Sequence, residues 1–211
     1  MTVNSDPASA VALRFEIIKR LAPGFRHRML GRMQPIALLS QLMGKKIQAG
    51  QTESGFLLKR LQELKDSLSA ATNATVDLFS WLNPDDQSLQ PLNSIVEECL
   101  DLLKMDIYTS NVVFDNTITA QALVRASRLR HILAACLLTF IDSTEKPARV
   151  TLSAQQVSGD WQLEMSIQPV DAAPKLMNAD ASFVNWEAIQ LVSEGALLVK
   201  EQQRIVISNL V

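Results

Sequence analysis

The sequence predicts an α+β chain, a helical hairpin followed by an α/β sandwich with one mixed sheet and helices on one face. Three observations carry this. Positions Leu57, Leu61, Leu64, Leu68, Ala71, Thr75, Leu78 and Leu82 step alternately by four and three, a heptad seam. Two later segments, "ARVTLSAQQV" and "WQLEMSIQP", alternate apolar and polar residues as half-buried strands do. Between them and the seam lies "NPDDQSLQP", Asn83 to Pro91, a proline- and aspartate-rich linker. The expected domains are therefore 1–83 and 84–211.

The hairpin begins after a polar lead-in of small residues. A helical pattern runs from Val11 to about Lys46, with Pro23-Gly24 as an interruption or kink and Pro35 inside the periodic region. The stretch "GKKIQAGQTESG", with Gly44, Gly50 and Gly55, reads as the connecting loop. The second helix spans about Ser54 to Leu82, and Phe56, Leu58, Val76, Phe79 and Trp81 widen its apolar stripe. So broad a face needs more than one partner helix. A second copy of the hairpin supplies it economically, which predicts a homodimer built on a four-helix bundle.

The second module follows in order. "LNSIVEECLDLLKMD" is an amphipathic helix, "NVVFDN" a strand, and "QALVR" a short strand leading into an apolar helix from about Arg125 to Ile141. The two alternating strands are joined near Ser158-Gly159-Asp160. Pro169 to Ser182 is irregular, "FVNWEAIQLVSEG" is a helix ending at Gly195, and "ALLVKE" and "RIVISNL" close the sheet around Gln202-Gln203.

Composition bounds the function. The chain has 211 residues, 47% of them hydrophobic and 20% charged, with a net charge of −2. That gives no general attraction to nucleic acid or membrane. No apolar run is long enough to span a bilayer, and "MTVNSDPASA" lacks the signature of a signal peptide, so a cytoplasmic protein is expected. Cys99 and Cys136 both lie in apolar helical patterns and are expected as free buried thiols. With two scattered histidines they make no metal site.

The order of helical hairpin and α/β module resembles the catalytic core of bacterial two-component sensor kinases. "HRMLGRMQPIALLSQLM" is similar to the subclass whose motif reads H-R-x-x-N-N-x-Q: His27 and Arg28 match its start, and Gln34 stands near its glutamine. "PLNSIVEECLDLLKMDIYTSNVVFDN" resembles the opening of that family's ATP-binding domain, and "SRLRHILAACLLTFIDST" its central helix. The resemblance implies a dimerisation and histidine-phosphotransfer bundle followed by an ATPase-like domain, with His27 as the phosphorylated residue.

The departures shape the expected function. Thr139 stands where the resemblance implies a magnesium-holding asparagine, and Ala135 at the upstream asparagine of the pattern. The adenine-reading Asp-Gly loop is replaced by "QPVDAAPK", with Asp171 and no glycine. No glycine lies between Gly159 and Gly195 to cradle phosphates. A degenerate ATPase-like domain without a bound cofactor is therefore expected, and an ATP-dependent kinase is disfavoured.

Two functions remain. One is a histidine phosphotransferase that relays a phosphoryl group between response-regulator receiver domains through His27, the receiver bringing its own Mg2+. Arg26, Arg28 and Arg32, with Lys19 and Arg20 earlier on the helix, would then form a basic end that attracts the acidic receiver, with Gln34 beside it. The alternative is a non-catalytic adaptor that binds a receiver or kinase, for which Gly31 and Arg32 in place of the Asn pair speak. The bland reading of His27 is a solvated helix residue among cations. His131 is expected at the core edge or against the bundle, without a catalytic role, and Arg128 and Arg130 on a solvated face.

Overall fold

A computed structural model of the chain describes residues 7–51, 53–83, 88–144, 147–157, 160–170, 186–191, 196–201 and 204–208. Its fold class is α+β: a long N-terminal helical hairpin, then a mixed sheet with helices. The elements are α1 (Pro7–Gln48), α2 (Ser54–Leu82), β1 (Leu89–Pro91), α3 (Leu92–Leu102), α4 (Lys104–Thr109), β2 (Val112–Asn116), β3 (Leu123–Arg125) and α5 (Ala126–Ser143), followed by β4 (Ala148–Val157), β5 (Asp160–Pro169), α6 (Trp186–Leu191), β6 (Leu197–Glu201) and β7 (Arg204–Ser208). The chain divides into two compact units, one of Ala22–Leu82 and one joining Met1–Leu21 to Asn83–Val211. The division falls inside α1.

In the hairpin unit, α1 continues through both Pro23 and Pro35, so the expected interruption at Pro23-Gly24 is absent. Helix already begins at Pro7, inside the expected lead-in; proline suits a first turn because its missing N–H has no helical partner there. The hairpin turn has a Schellman geometry. Gly50 takes the left-handed conformation at φ 72°, its N–H donates to Ile47 O at 3.0 Å, and Gln51 N–H donates to Lys46 O at 3.0 Å. Those two bonds satisfy carbonyls that the helix end would leave open. Among the described residues, the buried side chains of this unit are Phe25, Ala71, Ala74 and Trp81. Much of the heptad seam stays open: Leu61, Leu68 and Leu82 are about half exposed.

The α/β unit closes its own core. Its sheet has the order β2-β4-β5-β7-β6; β2 and β4 run parallel and the other pairs antiparallel. Alternation puts Ala148, Val150 and Leu152 of β4 and Leu163, Met165 and Ile167 of β5 on the buried side. α3 contributes Leu92, Ile95, Val96, Cys99 and Leu102 to the core, and α5 is buried from Leu129 to Ile141. Both cysteines are free and buried, as expected.

Three expectations need correction. β3 does not join the main sheet: it pairs antiparallel with β1, which lies within the expected linker. Pro91 lies at the end of that short strand, where a missing N–H costs no ladder bond. The helix expected from Leu92 onward divides at Leu103 into α3 and α4. Arg130 is not on a solvated face but 2% exposed, donating through Nε to Glu98 Oε2 at 2.9 Å. A carboxylate at that distance is what makes a buried guanidinium tolerable. The residues expected at the Ser158-Gly159 and Gln202-Gln203 turns, at Pro84 to Asp86, at Asp171 to Ser182 and at the Gly195 helix end lie outside the described residues, as does the Arg128 side chain.

Candidate functional site

The site is built on α1, one helical stretch of the hairpin unit. Phe25 is 6% exposed, and its ring meets that of Trp81 on α2 edge-on, with centroids 5.6 Å apart and planes at 80°. This is a favoured aromatic geometry, because the electropositive ring edge faces the electron-rich ring face. Phe25 thereby fixes which side of α1 turns inward. At about 100° per residue, His27 lies roughly 200° around the helix from Phe25. It is exposed accordingly, and its ring makes no hydrogen bond among the described residues.

The same spacing arranges the neighbours. Gln34, seven residues on, falls within about 20° of His27 on the same stripe, and it is exposed. Arg26 and Arg28 stand about 100° to either side of the histidine. Arg32 lies one turn beyond Arg28, on that residue's side. Arg26 and Arg32 are exposed and Arg28 is half-buried. An imidazole is therefore presented outward between guanidinium groups, an arrangement that favours the approach of anions.

The wider basic end expected from the sequence is smaller than it looked. Arg20 belongs to the α/β unit, where Nε pairs with Asp106 at 2.9 Å and Nη2 with Asp142 at 3.0 Å. Lys19 pairs with Glu16 at 3.3 Å. The Arg20 charge is thereby shared with two carboxylates, whereas the Lys19 pair is exposed and weak. Neither the Arg20 fork nor the Phe25–Trp81 pair was read from the sequence, since both depend on partners many residues away.

The second histidine is placed differently. His131 on α5 is 4% exposed, lies inside the core rather than at its edge, and has Nδ1 3.4 Å from the Ser127 carbonyl. Its pKa is lowered to about 4, mainly because burial disfavours the charged ring and further because Arg14 and Arg130 are positive; the Ser127 carbonyl opposes this. It is a neutral core residue at neutral pH.

The positions that the sensor-kinase resemblance assigns to nucleotide binding do not fit that task where they are described. Thr139 is 3% exposed and its hydroxyl donates to Ala135 O of the preceding turn at 2.9 Å. Ala135 is fully buried. Ser143 likewise donates to Thr139 O, and Thr144 to Phe140 O. These three hydroxyls thus donate to carbonyls one turn back. Among the described residues, no group of three or more His, Cys, Asp or Glu side chains is placed to hold a metal ion. Among them also, no helix is long and apolar enough to cross a membrane.

No family model matches the chain, and no curated protein matches it. Among solved structures it is similar to the histidine kinase AdeS of Acinetobacter baumannii, at 15% identity over 82% of this chain and 92% of that one, with a TM-score of 0.42. It is similar to a histidine kinase from Burkholderia phymatum, at 15% identity over 86% and 95% of the two chains and a TM-score of 0.42. A bacterial phosphotransferase aligns at 11% identity over 92% and 95%, with a TM-score of 0.37.

Proposed function

We propose that this chain is a histidine phosphotransferase that relays a phosphoryl group between the aspartates of response-regulator receiver domains through His27, without binding ATP. The observation that carries the reading is the contrast between its two histidines. His27 is exposed between arginines, whereas His131 is 4% exposed and neutral in the core.

The chemistry needs little else. A neutral imidazole nitrogen offers its lone pair to the phosphorus of an aspartyl phosphate. As the N–P bond forms, the O–P bond breaks and the aspartyl oxygen leaves with the electron pair as carboxylate. The ring keeps its other N–H and becomes cationic, so no base has to remove a proton. The reverse step hands the group to a second aspartate. Arg26, Arg28 and Arg32 supply positive charge for the phosphoryl oxygens and the acidic receiver, and Gln34 supplies a neutral amide on the same stripe. Mg2+ is brought by the receiver. The buried, internally bonded Thr139 supports a phosphoryl source other than ATP held in this chain.

The half-exposed seam of α2 supports a homodimer. Leu68 is 57% and Phe79 61% exposed, and matching seams on two hairpins would cover one another in a four-helix bundle.

The test is transfer from a phosphorylated receiver. Acid-labile label should appear on the protein and vanish in His27→Ala. Receiver binding without any transfer, equal in the unsubstituted protein and His27→Ala, would replace the relay with the adaptor reading.

A further inference from the structure

The geometry points to Phe25 and Trp81 as a positioning pair that holds the His27 segment of α1 in register for transfer. This deepens the relay reading and rests on it. Neither residue would touch the phosphoryl group; both act through the helix that carries the histidine.

Three observations converge. First, α1 is weakened close to His27 by its own sequence. Pro23 lies inside the helix, so it has no N–H to donate to the Lys19 carbonyl four residues back. Gly24 follows at once and adds backbone freedom. Pro35 removes the donor to the Gly31 carbonyl beyond the histidine. His27 thus lies in a helical stretch whose rotation is poorly enforced by the backbone bonds at either end.

Second, this is where the hairpin is packed tightly. Trp81 is 1% and Phe25 6% exposed, the large side chains among this unit's buried residues as described, the others being Ala71 and Ala74. The close packing belongs to this pair and not to a whole end of the hairpin, since Phe79 at 61% and Leu82 at 53% beside Trp81 are as open as Leu61 at 49% toward the turn. Third, Phe25 stands on the side of α1 opposite His27. A contact there acts as a backstop: it fixes the rotation of the helix without obstructing the outward face. In-line attack on phosphorus tolerates little misplacement, so a rotational error at His27 slows transfer even when the receiver binds normally.

The experiment uses the full chain with Trp81→Leu, which keeps an apolar side chain, and Trp81→Phe, which keeps an aromatic ring. Work proceeds at a temperature where circular dichroism shows all three proteins equally helical. Trp81→Leu should lower kcat for transfer from a phosphorylated receiver on the order of tenfold or more with KM nearly unchanged, as expected for misorientation. Trp81→Phe should restore most of the loss. Amide exchange at residues 25–31 should be faster in Trp81→Leu and near normal in Trp81→Phe. An unchanged kcat in Trp81→Leu, a loss carried by KM, or equal losses in both variants would each overturn the pairing. Absence of transfer in the unsubstituted protein would sink the relay itself. The exchange measurement would then decide alone whether the pair holds the helix: unchanged exchange in Trp81→Leu rejects it, and faster exchange retains it.

Discussion

The hairpin and the α/β unit solve the burial problem to different extents. In the α/β unit, α5 is buried from Leu129 through Ile141, and even Arg130 within that stretch is enclosed with the Glu98 carboxylate at 2.9 Å. In the hairpin, two aromatic rings and two alanines are buried while Leu58, Leu61, Leu68, Val76, Phe79 and Leu82 remain open. Two helices in contact can each bury only one face, whereas a helix on a sheet backed by other helices can be surrounded. The comparison teaches that one unit carries its own stability and the other has apolar surface to share. In the proposed relay, that shared surface is the dimer seam, while the outward stripe of α1 stays free for a receiver.

The sharpest way to break this comparison is to remove the same atoms from both regions. Leu137→Ala empties a fully buried site and should cost about 2–5 kcal/mol, read as a lower denaturation midpoint by circular dichroism. Leu68→Ala, at a site 57% exposed in the single chain, should stay within about 0.5 kcal/mol if nothing covers it. With a second hairpin on the seam, as proposed, the loss becomes larger and falls back toward that value once dilution separates the two copies. Equal, concentration-independent losses at the two sites would remove the distinction.

Acid sharpens the comparison by acting on one side of it. His131 has a folded pKa of about 4 against 6.5 for the free side chain, so the unfolded chain binds the extra proton first. The stabilising effect of a neutral buried ring is complete above pH 6.5, declines as pH falls, and is lost below about 4. The cost should reach about 3 kcal/mol at the acid end of that window, as the linkage of 1.36 kcal/mol per pKa unit requires. Hydrogen exchange should show α5 loosening between those values, and His131→Gln should flatten the pH dependence. Retention of the full slope in His131→Gln would assign the acid sensitivity elsewhere.

The smallest effect is expected at the hairpin turn. Nothing lies within 4 Å of a Cβ built on Gly50, so Gly50→Ala meets no clash. Its cost is conformational only, about 1 kcal/mol for a left-handed residue gaining a side chain. It should appear in thermal melting of the hairpin and leave the α5 amides unaffected. A cost several times larger would mean that the turn does more than reverse the chain.

Much of this organisation was legible in the residues. The heptad steps from Leu57 to Leu82 marked α2 closely, because a regular apolar period is a local property of an amphipathic helix. The alternation in "ARVTLSAQQV" and "WQLEMSIQP" marked β4 and β5 for the same kind of reason. Pro23-Gly24 misled, since the local cost of a proline is visible in sequence and a compensating contact such as Phe25 with Trp81 is not. Arg130 misled likewise: a charged residue reads as solvated until its carboxylate, 32 residues away at Glu98, is known. At the candidate site, His27 was singled out by its resemblance to a sensor-kinase histidine motif, and its arginines by their place beside it. That Arg20 is committed to Asp106 and Asp142, 86 and 122 residues distant, could not be read that way.

By itself, the sequence determined what depends on near neighbours: the periods of the helices and strands, a glycine-bearing connection between the two hairpin helices, and an imidazole set among guanidinium groups. Tertiary structure alone decided which elements meet. It paired β3 with β1 instead of the main sheet, enclosed Arg130 and His131, and set Trp81 behind the helix that carries His27. The physical reason is that periodicity fixes the direction of a side chain relative to its own backbone. What stands opposite, and whether it removes water or supplies a counter-charge, is settled only when distant parts of the chain pack.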